Sequence, residues 1–442
     1  MTNDIQKTND TKKTHPTKKA NMAKATDRPH HSSFKDPVLA NPDVLILGAG
    51  ASGLFCALTA ARRGRKVVLV DASDTTGRKL RASGGGRCNC TNLDATPGHY
   101  LSANPRFTAK ALQRFTSGNF LDVLASLGLT ASEEDQGRMF CDQGATELAD
   151  ALEAACRKAG ARFLLDRHVT GIAANVIPSE ATGQGGFRVE TDDGPLMAPR
   201  VVLALGSPAW PALGGTDAVA RLAGSLGLAH VPSRPALTPF TFNGPILRLC
   251  RELTGLGVTA RVSCLGKAYT DGLLFTHQGL SGPVALQISS HWRRGETLTI
   301  DLAPGADLRQ VLRDPTRGKA LARTLVASVL PRRLAEALLK GLPPEVVAAS
   351  EKRSAELSKA HIEALAEAVH AWRVLPSGTA GMARAEAASG GLDTAQFSPK
   401  TFECRALPGL YAIGEALDVA GELGGYNLHW AWASGFVAGQ VL

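Results

Sequence analysis

The sequence lacks the marks of a secreted, metal-binding or membrane protein. Its cysteines form no C-x-x-C pair and no zinc-ligand spacing, so we expect no metal site and no disulfide framework. No secretory signal or spanning helix is recognisable, which makes the cytoplasm, with reduced thiols, the expected location. Residues 44–61 are uncharged, but three glycines and the Arg62-Arg63 pair that follows indicate a buried β–α unit rather than a membrane span.

A nucleotide-binding fingerprint occurs once, in residues 44–71, and a second one is missing. A pyridine-nucleotide disulfide reductase would carry one, together with a closely spaced redox pair of cysteines. If NAD(P)H is an electron donor, it must therefore dock transiently. Cys88 and Cys90 are the one close pair of thiols. They could be redox-active, although a C-x-C disulfide ring is strained, or they could simply pack a loop.

Aromatic residues make up 5% of the chain, and no stripe of alternating basic and aromatic residues is present. The net charge of +9 and the pI of about 9.2 permit contact with RNA or the ribosome, but a basic balance alone is usually a solvated surface. Residues 1–42 are polar and lysine-rich, with hardly any apolar side chains. We expect this basic tail to be disordered because it cannot bury enough surface to order itself.

What the sequence does contain is a complete dinucleotide-binding fingerprint. An apolar run at 44–47 is followed by G-x-G-x-x-G, a small-residue helix and a second apolar run that ends in Asp71. The first glycine allows a tight turn, the second a close approach to a pyrophosphate, and the third close packing of helix on strand. The pyrophosphate would lie at the helix N-terminus. The predicted contacts here are Gly48, Gly50, Ala51, Ser52, Gly53 and, for a ribose hydroxyl, Asp71.

Asp71 disfavours a 2′-phosphate, which leaves FAD or NAD as the cofactor. The segment Gly77–Asn92 then favours FAD. We interpret it as a cationic, glycine-rich loop, neither helix nor simple strand, that can wrap around a ligand and form an anion-binding nest. Its predicted cofactor contacts are Arg78, Lys79, Gly85, Gly86, Arg87, Cys88 and Asn89.

The end of the chain supplies a second cofactor segment. A short apolar strand at 409–413 leads into glycines, acids and a small-residue helix, which again places N–H groups beside a ligand. An NAD dehydrogenase has no need of such a closing segment, so FAD is the better hypothesis. The predicted contacts are Gly414, Glu415, Asp418, Gly425, Tyr426 and Asn427, with Val169 against the adenine and Gly206 beneath the cofactor.

Two residues are candidates for acid–base chemistry. His277 lies in the turn-rich segment Thr276–Pro283, where it could donate a proton or, equally, hold a loop. Tyr426 could act as an acid or contact the flavin edge. No Ser/His/Asp set is apparent from the spacing.

At four stretches the chain resembles the BaiN/RdsA (YhiN-like) family of FAD-dependent flavoproteins. They are the fingerprint, Gly77–Asn92, Leu274–Pro283 and Gly414–Gly435. The resemblance implies an α/β fold with a discontinuous Rossmann-type FAD domain, 43–236 and 376–442. It also implies an inserted domain, 237–375, with a β-barrel-like part at 237–303 and a small helical part at 304–375. His429 stands where the family usually has glutamine.

The expected function is an FAD-dependent oxidoreductase that transfers a hydride to or from a C=C or similar bond. The substrate would be a small molecule or a nucleobase, with NAD(P)H as a possible donor. The resemblance includes a branch that forms dihydrouridine in ribosomal RNA. A different class remains open, namely a non-catalytic FAD-binding or RNA-associated protein.

Overall fold

The computed structural model describes residues 37–179 and 184–442. Most of the tail for which disorder was predicted, residues 1–36, lies outside the described residues. The described chain begins with one helical turn, α1 (Pro37–Ala40). None of the helices in the described part combines the length and the apolar character that a membrane crossing requires.

A five-stranded parallel sheet forms the centre of the first domain, as the alternating β–α pattern predicts. The strand order is β21 (Leu410–Ala412), β11 (Val201–Leu203), β1 (Val44–Leu47), β2 (Val67–Val70) and β7 (Arg162–Leu164). The strands β1, β2, β11 and β21 are fully buried and continuously apolar, because helices cover both faces of a parallel sheet. Their carboxyl ends meet at one edge, where the cofactor segments begin.

Three helices flank this sheet and bring the two ends of the domain together. The helix α2 (Ala51–Arg62) packs against both α6 (Ala145–Lys158) and α15 (Tyr426–Gly439). The helix α15 is buried around nearly its whole circumference, as expected for an apolar helix inside a core. Its glycines lie against α2, so the two backbones approach closely.

The other helices of this domain are short. They are α3 (Arg78–Ala82), α4 (Ala109–Arg114), α5 (Ser117–Ser126) and α7 (Ala218–Ser225). The prediction that Gly77–Asn92 contains no helix was wrong for its first part, because Gly77 in a left-handed conformation starts one turn of helix at Arg78. Leu80 anchors that turn in the core, a tertiary contact with no local signal.

Small antiparallel sheets surround the central one. Their strands are β3 (Asn89–Asn92), β6 (Arg138–Cys141) and β5 (Ala131–Glu134); β4 (Tyr100–Leu101) and β22 (Ala420–Gly421); and β8 (Val169–Ser179), β9 (Gln184–Thr191) and β10 (Leu196–Ala198). A further pair, β12 (His230–Ala236) and β20 (Ala387–Leu392), carries the chain into the inserted domain and back.

The inserted domain is built on a seven-stranded antiparallel sheet. Its order is β18 (Trp372–Val374), β17 (Leu298–Asp301), β14 (Gly257–Cys264), β15 (Lys267–Thr276), β16 (Gly279–Ser281), β13 (Phe240–Thr241) and β19 (Gly378–Thr379). A flat sheet of this size would be about 29 Å wide at about 4.8 Å per strand spacing. However, its edge strands β18 and β19 are joined by residues 375–377, which span at most about 14 Å. The sheet must therefore curl, while the predicted β-barrel-like character of 237–303 stays a prediction.

Helices complete the inserted domain. They are α8 (Gly244–Glu252), α9 (Pro283–Ser289), α10 (Leu308–Arg313), α11 (Ala322–Val329), α12 (Arg332–Lys340), α13 (Pro344–Ser350) and α14 (Lys359–His370). The predicted boundaries at 303 and 375 do not match the sheet, because β18 and β19 lie beyond 303 and belong to the same sheet as the strands of 237–303. The last strands of the sheet come after the helices in sequence, and Gly378 and Thr379 pair with β13 of the inserted domain.

We expect the substitution Gly435→Ala in α15 to lower the free energy of unfolding by about 1–3 kcal/mol. The added Cβ would lie 2.7 Å from the backbone oxygen of Ser52 in α2, so the two helices would have to separate. The matched control is Gly224→Ala in α7, where a Cβ meets nothing within 4 Å. Denaturant unfolding of both variants measures the difference, and equal stabilities would contradict the close-packing argument.

Candidate functional site: a cofactor cleft at the carboxyl ends of the sheet

The three fingerprint glycines are each required for a different reason. Gly48 has φ +109°, and a Cβ there would lie 2.3 Å from the oxygen of Ala204 on the neighbouring strand connection. A Cβ on Gly53 would lie 1.9 Å from the oxygen of Gly48. By contrast, a Cβ on Gly50 meets nothing within 4 Å, although Gly50 is the N-cap of α2. The space in front of Gly50 is therefore open, as a pyrophosphate at the helix N-terminus needs.

Asp71 is fixed at the end of β2 by two backbone hydrogen bonds. The Ala49 N–H donates to Oδ2 at 2.6 Å, and the Ser73 N–H donates to Oδ1 at 2.8 Å. Burial raises the pKa of Asp71, although both hydrogen bonds act to lower it. A carboxylate has further lone pairs, so the predicted bond to a ribose hydroxyl remains possible in this geometry. The Arg167 N–H donates to the Asp71 carbonyl, two residues before the predicted adenine contact, Val169.

The glycine-rich segment has a backbone that other residues rarely adopt. Gly84, Gly85 and Gly86 all have positive φ, at +56°, +67° and +90°. Space is open beyond Gly85 and Gly86, where an added Cβ would meet nothing within 4 Å. Consecutive glycines therefore let the backbone itself face a ligand.

The cations of this segment have protein partners. Lys79 forms an ion pair with Glu415 at 2.6 Å, and Arg87 pairs with Glu134 while its guanidinium lies 4.1 Å from the centre of the Phe140 ring. Arg78 donates to the carbonyl of Ala212 at 3.1 Å. Their predicted role as phosphate ligands thus competes with these contacts.

Helix α15 holds the second cofactor segment against the fingerprint. The Gly414 N–H donates to the Ser434 hydroxyl, and the Trp430 indole donates to the Gly414 carbonyl, each at 3.0 Å. A Cβ on Gly414 would lie 2.6 Å from the Ser52 hydroxyl oxygen, so this segment touches the first turn of α2. Two segments separated by more than 350 residues in the chain therefore share one site.

Glu415 has an unpaired buried oxygen. Its Oε2 accepts from Lys79 and from the Ser207 hydroxyl, whereas Oε1 is buried and has no hydrogen-bond partner. Together with Gly206, this side chain lines a cleft of about 180 Å³. A buried acceptor without a donor is costly, and a hydroxyl of the FAD polyol chain would satisfy it. The residues present therefore fit FAD.

Asp418 and Asn427 bind backbone rather than facing the cleft. The Asp418 carboxylate accepts from the N–H groups of Ala103 and Gly390, at 2.8 and 3.0 Å. The Asn427 amide bonds both the N–H and the carbonyl of Gly421. In this geometry both residues shape the segment. Their predicted direct contacts with the cofactor stay predictions.

The beginning of α15 meets the glycine-rich segment directly. In its hydrogen-bonded orientation, the Asn89 amide donates to the Thr91 carbonyl and accepts from the Gly425 N–H, each at 3.2 Å. A Cβ on Gly425 would lie 2.4 Å from the Thr91 carbonyl oxygen. The Tyr426 ring stacks on His99 with centroids 4.5 Å apart. Asn89, Gly425 and Tyr426 thus lie together at one end of the predicted cofactor site.

Comparison with known proteins now identifies the family. The model of the HI0933-like protein Rossmann domain matches residues 42–441. The chain belongs to the HI0933-like family. It is accordingly an oxidoreductase of the FAD-binding Rossmann type, and the predicted resemblance, fold class and general activity are confirmed.

Three curated relatives of the family are similar over nearly their whole length. The ribosomal RNA dihydrouridine synthases of Escherichia coli and Haemophilus influenzae are 40% and 37% identical, over 90% and 89% of this chain and 98% and 96% of their own. The 3-dehydro-bile acid delta(4,6)-reductase of Clostridium scindens is 31% identical, over 90% of this chain and 98% of its own. All three relatives are named as enzymes. This favours an enzyme over the alternative hypothesis of a non-catalytic protein.

The thiols of this HI0933-like chain are buried and free. Burial raises the pKa of Cys88 to about 12 and also raises the pKa of Cys90. Neither thiol is therefore a thiolate at neutral pH, and a thiolate is the reactive form. These observations support loop packing rather than redox chemistry. Cys88 also holds a left-handed backbone, φ 58°, which turns the chain into β3.

His277 lines a cleft to which the glycine-rich segment contributes no residue. It is exposed at the turn between β15 and β16, where it lines a separate cleft of about 260 Å³ with Arg384. Its carbonyl accepts from Arg251 at 3.4 Å. A catalytic role for His277 stays a prediction.

A polar network that the sequence does not predict lies beside Tyr426. It joins Asp94, His99, Tyr269, His291 and Glu422, which come from four separate stretches of the chain. No motif or spacing marks these residues, because partners that are distant in the sequence meet only when the protein folds.

We expect Gly50→Ala to weaken FAD binding at least about tenfold while the protein stays folded. The backbone of Gly50 is extended and its Cβ would project into open space, so the side chain would occupy the place of the pyrophosphate rather than strain the fold. Gly305→Ala is the control, since its Cβ also meets nothing within 4 Å. FAD titration and thermal unfolding check the prediction. Unchanged affinity in Gly50→Ala would place the pyrophosphate elsewhere.

We also expect the stability of the protein to fall between pH 6.5 and 4 because of His429. This histidine is fully buried between the Thr91 hydroxyl at 2.8 Å and the Phe115 carbonyl at 3.2 Å, and burial lowers its pKa to about 4. Its contribution is complete above the unfolded pKa of about 6.5. It is lost as the pH falls towards 4, because in this range His429 is protonated in the unfolded chain and stays neutral in the folded protein. The loss amounts to about 3 kcal/mol.

The variant His429→Gln should remove most of this pH dependence, since an amide keeps one donor and one acceptor and does not titrate. Urea unfolding at several pH values measures the slope for both proteins. Equal slopes would show that His429 is not the responsible group.

Proposed function

We propose that this chain reduces the C5=C6 bond of a uridine in ribosomal RNA to form dihydrouridine, with FAD as its cofactor. The observation that supports this most strongly is the 40% identity to a ribosomal RNA dihydrouridine synthase over 98% of that enzyme. The basic balance of the chain is compatible with an RNA substrate.

The proposed roles of the residues follow from the cleft. The N–H groups of Gly50, Ala51 and Ser52 at the start of α2 hold the pyrophosphate, and Asp71 takes a ribose hydroxyl. The backbone of Gly85 and Gly86 faces the cofactor, and Glu415 Oε1 accepts from the polyol chain. Asn89, Gly425 and Tyr426 lie at the flavin end. When bound, FAD supplies the hydride-transfer chemistry, from the electron donor to the substrate.

Hydride transfer and proton supply are separate requirements of this reaction. The substrate gains a hydride at one carbon and a proton at the other, and the two electrons come from a dihydronicotinamide such as NADH or NADPH. We propose that this donor docks transiently at the flavin, because the chain has a single dinucleotide fingerprint.

We expect ribosomal RNA from cells without the gene to lack a dihydrouridine that is present in the parent strain. Mass spectrometry of nucleosides from purified ribosomal RNA measures this. A plasmid copy of the gene, or of the control Gly305→Ala, should restore the modification, and Gly50→Ala should not. Unchanged dihydrouridine in the deletion strain would refute an RNA substrate.

A small-molecule substrate with a conjugated C=C bond is the second candidate. It is supported by the 31% identity to the bile acid reductase of Clostridium scindens. Metabolites extracted from the same two strains test it, since an unsaturated compound should accumulate in the deletion strain.

Anaerobic mixing of the protein with NADH or NADPH identifies the electron donor by bleaching of the flavin.

A further inference from the structure

A continuous chain of hydrogen bonds crosses from the Rossmann domain to the inserted domain. His99 Nε2 lies 3.1 Å from Asp94 Oδ2, and His99 Nδ1 lies 2.6 Å from Glu422 Oε2. The other carboxylate oxygen of Glu422 accepts from the Tyr269 hydroxyl at 2.6 Å, and this hydroxyl lies 2.9 Å from His291 Nε2. We call these five residues the Glu422 chain.

The Glu422 chain lies beside the flavin end of the predicted site. Glu422 is three residues before Gly425, and its N–H donates to the carbonyl of His99. The ring of His99 stacks on Tyr426, the first residue of α15. Tyr269 is on β15 and His291 follows α9, so the inserted domain contributes the far end of the chain. Leu423 is also tied to that domain, because its N–H donates to Gln287 at 2.7 Å.

The charges around His99 favour its protonated form. Burial lowers the pKa of His99, but hydrogen bonds to Glu422 and Asp94 and their charges outweigh burial and raise the pKa overall. A cationic His99 donates from both ring nitrogens, which matches its two carboxylate partners. The Asp94 side chain is 68% exposed, so this end of the chain meets solvent.

The charges around Tyr269 keep its hydroxyl protonated. Burial and then the hydrogen bond and charge of Glu422 raise the pKa of Tyr269. Because its proton points to Glu422, His291 must donate to the phenol oxygen from Nε2. Burial and the charges of Lys267 and Arg293 lower the pKa of His291, and Glu422 partly offsets them. His291 is therefore a neutral donor that can stabilise a phenolate on Tyr269.

We propose that the Glu422 chain delivers the proton that accompanies hydride transfer, with Tyr269 as the donor to the substrate and Glu422 and His99 as positioning residues that restore its proton. The inference rests on the proposed reduction of a C=C bond. It adds a proton source, which the proposed function leaves unassigned.

Reduction of the substrate consumes one hydride and one proton. The π bond of the substrate breaks, one carbon gains the hydride, and the other gains the proton of the Tyr269 hydroxyl. Glu422 is a carboxylate without a proton, so it first takes the Nδ1 proton of His99 and then passes a proton to the phenolate, and His99 regains a proton from solvent beside Asp94. The nearby Glu422 carboxylate disfavours a lasting phenolate, so reprotonation follows promptly.

The first test is Tyr269→Phe, which keeps the ring beside His291 and removes the proton. Reduction of the bound flavin by NAD(P)H should be unchanged, whereas its reoxidation by ribosomal RNA from the deletion strain should slow at least about 100-fold. Tyr411→Phe, on β21 in the central sheet, is the matched control and should leave both rates unchanged. Reoxidation of Tyr269→Phe within threefold of wild type, or equal slowing of both half-reactions, would overturn the proposal.

The second test needs no turnover. NMR titration of the histidine rings, with His99→Gln to assign the signal, should show a pKa of His99 above its ordinary value, and Glu422→Gln should lower it. If the pKa of His99 is ordinary, or if Glu422→Gln leaves it unchanged, His99 is not the group that restores the proton of Tyr269, and the proposal is overturned. If wild-type reduced flavin does not react with the RNA, the proposed RNA substrate fails, while this titration still decides on the Glu422 chain.

Discussion

The contact between α15 and α2 is the constraint on which the rest of the site depends. Gly435 and Gly439 of α15 lie against Ser52, Cys56 and Thr59 of α2, at distances that exclude any side chain. Because the helices approach so closely, the start of α15 and the Gly414 segment come to the same edge of the sheet as the fingerprint. Without this contact, nothing would hold the two halves of the predicted cofactor site in a fixed position relative to each other.

The local part of the site could be predicted from the sequence, because each of its signals lies within a few residues. The strand, the glycine turn, α2 and Asp71 all appear where the spacing predicts them. The short helix α3 could not be predicted, since three glycines and several cations directly around it resemble a loop. Its formation depends on the burial of Leu80, which is a property of the folded protein.

The functions of charged residues were the least predictable feature of the site. Lys79 and Arg87 were predicted to meet phosphate, yet each lies against an acid that is distant in sequence. Asp418 likewise satisfies backbone N–H groups from two other segments. Such pairs have no signature in composition or spacing, because the partner is chosen by the tertiary fold. The Glu422 chain went unnoticed for the same reason.

The antiparallel pair of β12 and β20 determines where the protein can tolerate changes of sequence. The chain leaves the Rossmann domain on one of these strands and returns on the other, so entry and exit are hydrogen-bonded neighbours. In topological terms the whole inserted domain is one elaborated hairpin loop. Insertions, deletions and new side chains within it leave the register of the central sheet untouched. Evolution can therefore reshape the inserted domain while the fingerprint half of the molecule stays fixed.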